Sequence, residues 1–241
     1  KEIDPLDKVT LTDTVSYKDL TPGKEYRVTG VLMDKSNGKE LLINGEKVTA
    51  EATFVATEAS GSVDVTFIFD ATGLHGKGIV VFEDLYRENV LLATHADIND
   101  EGQTVKIKNP EIGTKATADG KKEITADKIT ITDVVSYKDL TPGKEYKLTG
   151  VLMNKATNDK LLIDGKEITA EATFTPKAPT GEVEMTFSFD ARELAAETEV
   201  VVFETLYRDG IEIAVHADIE DEGQTVKILP LHGSITTVKV D

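Results

Sequence analysis

Along the first hundred residues, apolar and polar positions alternate with a period of two. Val9 and Leu11 alternate with Thr10 and Thr12, Val63, Val65, Phe67 and Phe69 with Asp64, Thr66 and Ile68, and Val105 and Ile107 with Thr104 and Lys106. Successive side chains of a strand point to opposite faces, so this pattern predicts half-buried β-strands. Val, Ile, Thr and Phe are also the residues that suit a pleated surface. Turn residues punctuate the runs at Thr21-Pro22-Gly23, Ser36-Asn37-Gly38 and Asn44-Gly45, the last flanked by strand-like residues as in a tight hairpin. One helical stretch stands out, Arg192-Glu193-Leu194-Ala195-Ala196-Glu197, and one turn at most is expected there, because the earlier part of the chain has Gly73 and Gly76 in the corresponding loop.

The whole pattern occurs twice. VSYKDLTPGKEY at Val15–Tyr26 returns at Val135–Tyr146, an offset of 120 that holds through TGVLM and TAEATF. One residue is gained in the loop after FDA, and from VVFE (Val80–Glu83, Val201–Glu204) the offset is 121 through LYR, HADI and DEGQTVKI. A solenoid unit runs to about 20 to 50 residues, so each copy is read as a domain with its own core. About seven short strands per copy predict an all-β chain of two tandem immunoglobulin-like antiparallel β-sandwich domains. The expected domains are residues 1–108 and 109–229, with 230–241 as a linker and the start of a following domain. The join, Lys108-Asn109-Pro110, is short, polar and marked by proline, which predicts a semi-rigid array.

Composition narrows the function. There are 27 Lys and Arg against 44 Asp and Glu, a formal charge of −17, which argues against a nucleic-acid surface because phosphate binding needs clustered cations. Cysteine is absent, so a disulfide framework, a thiolate metal site and a cysteine nucleophile are excluded. At 39% hydrophobic, each copy has the apolar material to bury roughly two-thirds of its unfolded surface. No apolar run approaches the roughly 18 residues of a membrane span, and no signal-like segment opens at Lys1, so the chain reads as a soluble, monomeric fragment of a longer protein.

Both copies close on HADIxDEGQTV, at His95–Val105 and His216–Val226. Asp97-Ile98-Asn99-Asp100-Glu101-Gly102 imitates the start of a calcium loop, but the twelfth position, which needs a bidentate Glu, holds Lys108 and, in the second copy, Leu229. No metal or other cofactor is expected, and the acidic residues here read as solvated turn residues. A Ser-His-Asp hydrolase is disfavoured because the chain has no Gly-x-Ser-x-Gly elbow. A two-carboxylate glycosidase is disfavoured because small beads with 6% aromatics offer no long sugar-stacking cleft. One position is anomalous. Glu83, with Glu204 in the second copy, interrupts an apolar strand, and alternation leaves open whether it points outward or is buried with a raised pKa.

EIGTKATADGKKEI, TDVVSYKDLTPGKEYKLTGVLM, VVFETLY and HADIEDEGQTV, taken in order over nearly the whole chain, resemble the Thr-Gln ester-bond domains that form tandem stalks in Gram-positive surface adhesins. The resemblance implies that a Thr on the first strand attacks the side-chain amide of a Gln on the last, releasing ammonia and leaving an intramolecular ester. On the matching motifs the reacting pair is Thr114 and Gln224, and the helpers are Asp133, Glu204 and His216. The first copy supplies Asp13, Glu83, His95 and Gln103, while the counterpart of Thr114 falls ahead of Lys1; Thr14 is no substitute, because it aligns with Val134. In the expected chemistry His216 takes the hydroxyl proton, and Asp133 and Glu204, if side by side, share one proton that polarises the Gln224 carbonyl. The alternative is a Thr114–Gln224 hydrogen bond across the sheet and nothing more.

The resemblance thus implies a structural stalk segment of an extracellular, cell-wall-anchored adhesin that reacts once and does not turn over. Its expected partners are adjacent stalk domains of the same protein, with any host-surface ligand bound through domains outside this segment. An immunoglobulin-like module that binds a host glycan or protein through its loops is the second reading, and an enzyme acting on an external substrate the third. The tail, Pro230 to Asp241, follows the closing strand and is expected to open another domain. Thr236-Thr237-Val238 resembles the first strand of a third ester-bond domain, and Gly233-Ser234-Ile235 with Lys239-Val240-Asp241 the start of a prealbumin-like pilin domain with an isopeptide-forming Lys. Gly233–Val240 is also a candidate strand for the open edge of the first copy in another molecule.

Overall fold

The computed structural model describes residues 1–194 and 197–230. Both readings of the tail, and its candidate strand with Thr236 and Thr237, lie outside the described residues. Contacts divide the chain between Asn109 and Pro110, inside the join read from the sequence and one residue beyond the boundary expected after Lys108.

The first repeat is a sandwich of two sheets. In the larger, Gly78–Arg87 is flanked by Thr104–Ile107 and Glu25–Asp34, with Thr49–Val55 beyond the latter and Val90–His95 also paired to Gly78–Arg87. Glu2–Ile3 adds a parallel edge on Thr104–Ile107. The smaller sheet is Val9–Tyr17 against Gly61–Phe69, in register from Val9 opposite Phe69 to Tyr17 opposite Gly61. The predicted alternation holds: Leu11, Val65 and Phe67 are buried between the sheets with Val28, Leu32, Val81 and Ile107, while Thr10, Thr12, Asp64 and Thr66 face water. Asn44 and Gly45 take positive φ, 53° and 83°, in the tight hairpin joining Leu42–Ile43 to Glu46–Lys47.

The second repeat copies this plan, with Thr198–Arg208 central to the large sheet. In place of a helix, Ala191–Glu193 forms one 3₁₀ turn, capped by the Asp190 carboxylate accepting from the Arg192 amide. Ala195 and Ala196 of the expected turn lie outside the described residues. The small sheet here has a third strand, Glu111–Ala118, on the edge of Lys128–Lys138 that Gly181–Asp190 leaves free. Glu111–Ala118 also packs on Ile211–His216. The two repeats therefore differ in burial. Ile213 is 3% exposed under this strand, whereas its counterpart Leu92 is 48% exposed in the first repeat, beside exposed Val90 and Leu91.

Candidate functional site

In the second repeat the inward row of Lys128–Lys138 reads Ile129, Ile131, Asp133, Val135, Tyr137, and that of Thr198–Arg208 reads Val200, Val202, Glu204, Leu206, Arg208. Strand alternation thus carries one carboxyl group from each sheet into the apolar interior. Asp133 is 0% and Glu204 1% exposed, which settles the alternatives for Glu204 in favour of burial, and Glu83 is likewise buried at 4%. Two glycines make room for this. Gly150 stands opposite Glu204, and a Cβ there would lie 2.6 Å from Phe187 Cζ and 2.8 Å from Met185 Cε. Met185 in turn stands opposite Asp133, so Phe187 and Met185 wall both acids from water. Gly30 gives Phe67 the same place opposite Glu83.

Thr114 and Gln224 meet these two acids. Thr114 belongs to Glu111–Ala118, with Ala116 opposite Asp133. Its hydroxyl donates to Asp133 Oδ1 at 2.5 Å, and its Oγ1 is 3.4 Å from Glu204 Oε1. Gln224, 0% exposed, precedes the closing strand Thr225–Ile228. Its Nε2 donates to Thr114 Oγ1 at 2.8 Å and lies 2.7 Å from both Glu204 oxygens. The Ala116 amide donates to the Gly223 carbonyl at 3.1 Å, which ties the threonine strand directly to the glutamine loop. Of the four residues assigned to the centre of this site from sequence, Thr114 therefore touches the other three, and Gln224 also touches Glu204.

Burial pushes the Asp133 carboxyl up, although Thr114 and Glu204 each hydrogen-bond to it. Burial, reinforced by the charge of Asp133, pushes Glu204 further, to about 10. Two acids this close in an apolar setting cannot both ionise, so the pair retains a proton at neutral pH. Gln224 Oε1 and Asp133 Oδ2 are buried without hydrogen-bond partners.

His216 reaches the site through a strand irregularity. Ile213 is an extra residue where Ile211–His216 pairs with Thr198–Arg208, and this bulge sets His216 opposite Glu204. Its Nε2 is bonded to Asp221 Oδ2 at 2.8 Å. The Thr114 hydroxyl donates to Asp133 and not to His216, so the expectation that the imidazole takes that proton is revised: the group already accepting from the threonine is a carboxylate.

Asp221 was read from sequence as a solvated turn residue, and that reading is corrected. It is half-buried, and its other oxygen accepts from the Gly223 amide at 2.6 Å, so one side chain holds both the histidine and the turn that carries Gln224. Burial raises Asp221, but the hydrogen bonds from His216, Gly223 and Gln224 outweigh it and leave the carboxyl below its ordinary value. Its position five residues after the histidine in both copies was the available signal. Lys122 donates from Nζ to the Gly223 carbonyl at 2.5 Å, and Lys155 pairs with Glu222 at 2.6 Å, adding further ties on this loop.

The first repeat assembles the same helpers more openly. Glu83 is pushed up to about 9 by burial, then by its hydrogen bond with Asp13 and the Asp13 charge. His95 lies between Glu83 Oε2 at 3.3 Å and Asp100 Oδ2 at 3.1 Å, and Asp100 Oδ1 accepts from the Gly102 amide at 2.7 Å. Gln103 is half-buried. The acids of the preceding turn do serve as turn residues, Asp97 accepting from Asn99 and Asp218 from Glu220.

None of the curated proteins matches this sequence. Among solved structures, a bacterial adhesin from Mobiluncus mulieris containing intramolecular disulfide, isopeptide and ester bond cross-links is 21% identical over 52% of this chain, with a TM-score of 0.46. The chain spans 59% of that structure. The C-terminal domain of the Streptococcus agalactiae AgI/II polypeptide BspA is 9% identical over 95% of both chains, with a TM-score of 0.46. A family 2 glycosyl hydrolase from Bacteroides cellulosilyticus is 12% identical over 94% of this chain and 29% of its own, at 0.36. The sequence profile of the T-Q ester bond containing domain matches residues 1–107 and again 110–228, nearly all of both repeats, and the chain belongs to that family.

Proposed function

We propose that this chain is a stalk segment of a Gram-positive surface adhesin, extracellular and attached to the cell wall, whose second repeat closes an ester between Thr114 and Gln224 with release of ammonia. The reading rests on one observation: a threonine hydroxyl and a glutamine carboxamide, 2.8 Å apart, meet between two buried acids that burial pushes towards their protonated forms. Asp133 takes the hydroxyl proton as Thr114 Oγ attacks Gln224 Cδ. A half-turn of the carboxamide exchanges its oxygen and nitrogen, which have nearly the same shape. The Glu204 proton then meets the carbonyl oxygen, where negative charge develops. Collapse of the tetrahedral centre breaks the C–N bond, the nitrogen takes up the proton removed from Thr114, and ammonia leaves. Holding the reactants on adjoining strands replaces a binding step.

The reaction happens once per domain, so the product is a fastened strand and not a turnover enzyme. Fastening the first strand of a sandwich to the last suits a monomeric bead in a tandem array, whose natural neighbours are other stalk domains and whose host ligand is met elsewhere in the protein. Intact mass in denaturant tests the reading. The chain should be lighter than its sequence mass by one ammonia, and Thr114→Ala or Gln224→Ala should restore the full mass; an unmodified wild-type mass would overturn it.

A further inference from the structure

The carbonyl of Gly223, immediately before Gln224, is where three parts of the second repeat meet. It accepts from the Ala116 amide at 3.1 Å and from Lys122 Nζ at 2.5 Å, so both of its lone pairs are engaged. The first bond belongs to the threonine strand, in which Ala116 stands opposite Asp133. The second comes from the start of Glu123–Ile124, a parallel edge strand that sets Glu123 opposite Lys227 and Ile124 opposite Ile228. Lys122 also holds the chain beyond the glutamine, its main-chain carbonyl accepting from the Lys227 amide at 2.8 Å. A single residue therefore grips the backbone on both sides of Gln224. The same Lys-Glu-Ile run lies on the same edge of the first repeat, where the Lys1 carbonyl accepts from the Lys106 amide at 2.9 Å.

Gly223 is closely surrounded. A Cβ there would lie 2.8 Å from Asp221 Oδ1 and 3.6 Å from the Thr114 carbonyl oxygen, so the glutamine loop runs against the backbone of the threonine strand. Residue 223 has no side chain to anchor it. Its orientation is fixed by the Asp221 carboxylate on its amide and by the Ala116 and Lys122 donors on its carbonyl. Burial and the charge of Lys115 lower the Lys122 ammonium from its ordinary value, while Asp221, Asp133 and Glu222 act to keep it charged.

We propose that Lys122 is a positioning residue for the Thr114–Gln224 pair, clamping the Gly223 carbonyl so that the Gln224 carboxamide is presented to the Thr114 hydroxyl. Its effect on closure rests on the ester reading, whereas the clamp rests on the geometry alone. A charged donor makes a stronger hydrogen bond than a neutral one, and here it extends from an edge strand already paired with the closing strand. Precision at this point matters, because a misplacement of about 1 Å at a reacting centre can cost on the order of a hundredfold in rate.

The test has two arms. In the first, the full chain is made by cell-free translation and sampled into denaturant at intervals, and closure is read as the loss of one ammonia from the intact mass. Lys122→Met, which keeps the stem and removes the donor, should close at least tenfold more slowly than wild type, and Lys122→Arg, which restores a charged donor, should recover most of the rate. In the second, amide hydrogen exchange is measured in a Thr114→Val background, which cannot cross-link. Lys122→Met should speed exchange at the Ala116 and Gln224 amides and leave the ladder between Lys128–Lys138 and Gly181–Asp190 unchanged. Closure at the wild-type rate in Lys122→Met, a slowed rate that Lys122→Arg does not restore, or unchanged exchange at Ala116 and Gln224 would each overturn the proposal. A wild-type chain that keeps its full mass refutes the ester reading instead, and the exchange arm then decides by itself whether Lys122 is a clamp.

Discussion

Gly150 stands directly opposite Glu204, and the ring of Phe187 occupies the space that a side chain at position 150 would fill. Cross-strand partners share a face, so the missing side chain is what allows an aromatic wall to close over a buried acid. Gly150→Ala would bring a Cβ to 2.6 Å from Phe187 Cζ. The expected outcome is a loss of about 1 to 3 kcal/mol in denaturant unfolding, from overpacking. Ester closure, followed by intact mass, should slow as water gains access to Glu204. Gly30→Ala, facing Phe67, should cost a similar amount and leave closure in the second repeat unchanged.

The raised Glu204 makes the uncross-linked domain sensitive to base. Between its ordinary 4.5 and about 10, the folded domain keeps a proton on this residue that the unfolded chain has released. More protons on the folded state means that stability falls as pH rises through this window. In Thr114→Val, which cannot cross-link, unfolding free energy should decline by at most about 1.4 kcal/mol per pH unit from this one group. Glu204→Gln in the same background should flatten that slope. A slope that survives the second change would place its origin elsewhere.

The cross-link should stabilise the second repeat substantially. Thr114 and Gln224 are 110 residues apart. By analogy with disulfides, closing a loop of that size removes unfolded-state entropy worth about 4 to 5 kcal/mol, an upper value when native strain is ignored. Calorimetry of Thr114→Ala should show its second repeat melting well below the wild type. Coincident melting curves would mean that no fastening occurs.

Asp221 links the imidazole of His216 to the turn that carries Gln224, so its charge matters apart from its shape. Asp221→Asn retains an oxygen for the Gly223 amide but removes the anion beside His216. Closure measured by mass after refolding should slow at least tenfold and show an altered pH profile, while the urea midpoint of the same change in a Gln224→Ala background moves little. His216→Ala should slow closure to a similar degree, because it removes the side chain that Asp221 holds opposite Glu204. Unchanged closure in both variants would reduce the pair to a structural tie.

Much of this molecule was legible along the chain, because β-structure writes its periodicity into sequence. The alternation of Val63, Val65, Phe67 and Phe69, the Asn44-Gly45 hairpin and the offset of 120 to 121 determined the strands, their inward faces and the two-bead organisation. The motifs carried Thr114, Gln224, Asp133 and Glu204 as a set. What the chain alone left undecided was how these groups face one another. A Glu in an apolar strand satisfies a period of two whether it points in or out, and only the facing sheet, with Phe187 over Gly150, makes the inward side dry. The position of His216 depends on one bulged residue, Ile213. Without it the register would slip by one and set Val215 opposite Glu204, and a bulge has no periodic signature to read. The threonine hydroxyl reaches Asp133 because Glu111–Ala118 pairs with Lys128–Lys138 and sets Ala116 opposite that acid, and Asp221 becomes a partner of His216 through a turn that folds back on itself. Local pattern selects which side chains enter the core, whereas distances between them are set by register and sheet stacking, which are properties of the folded chain.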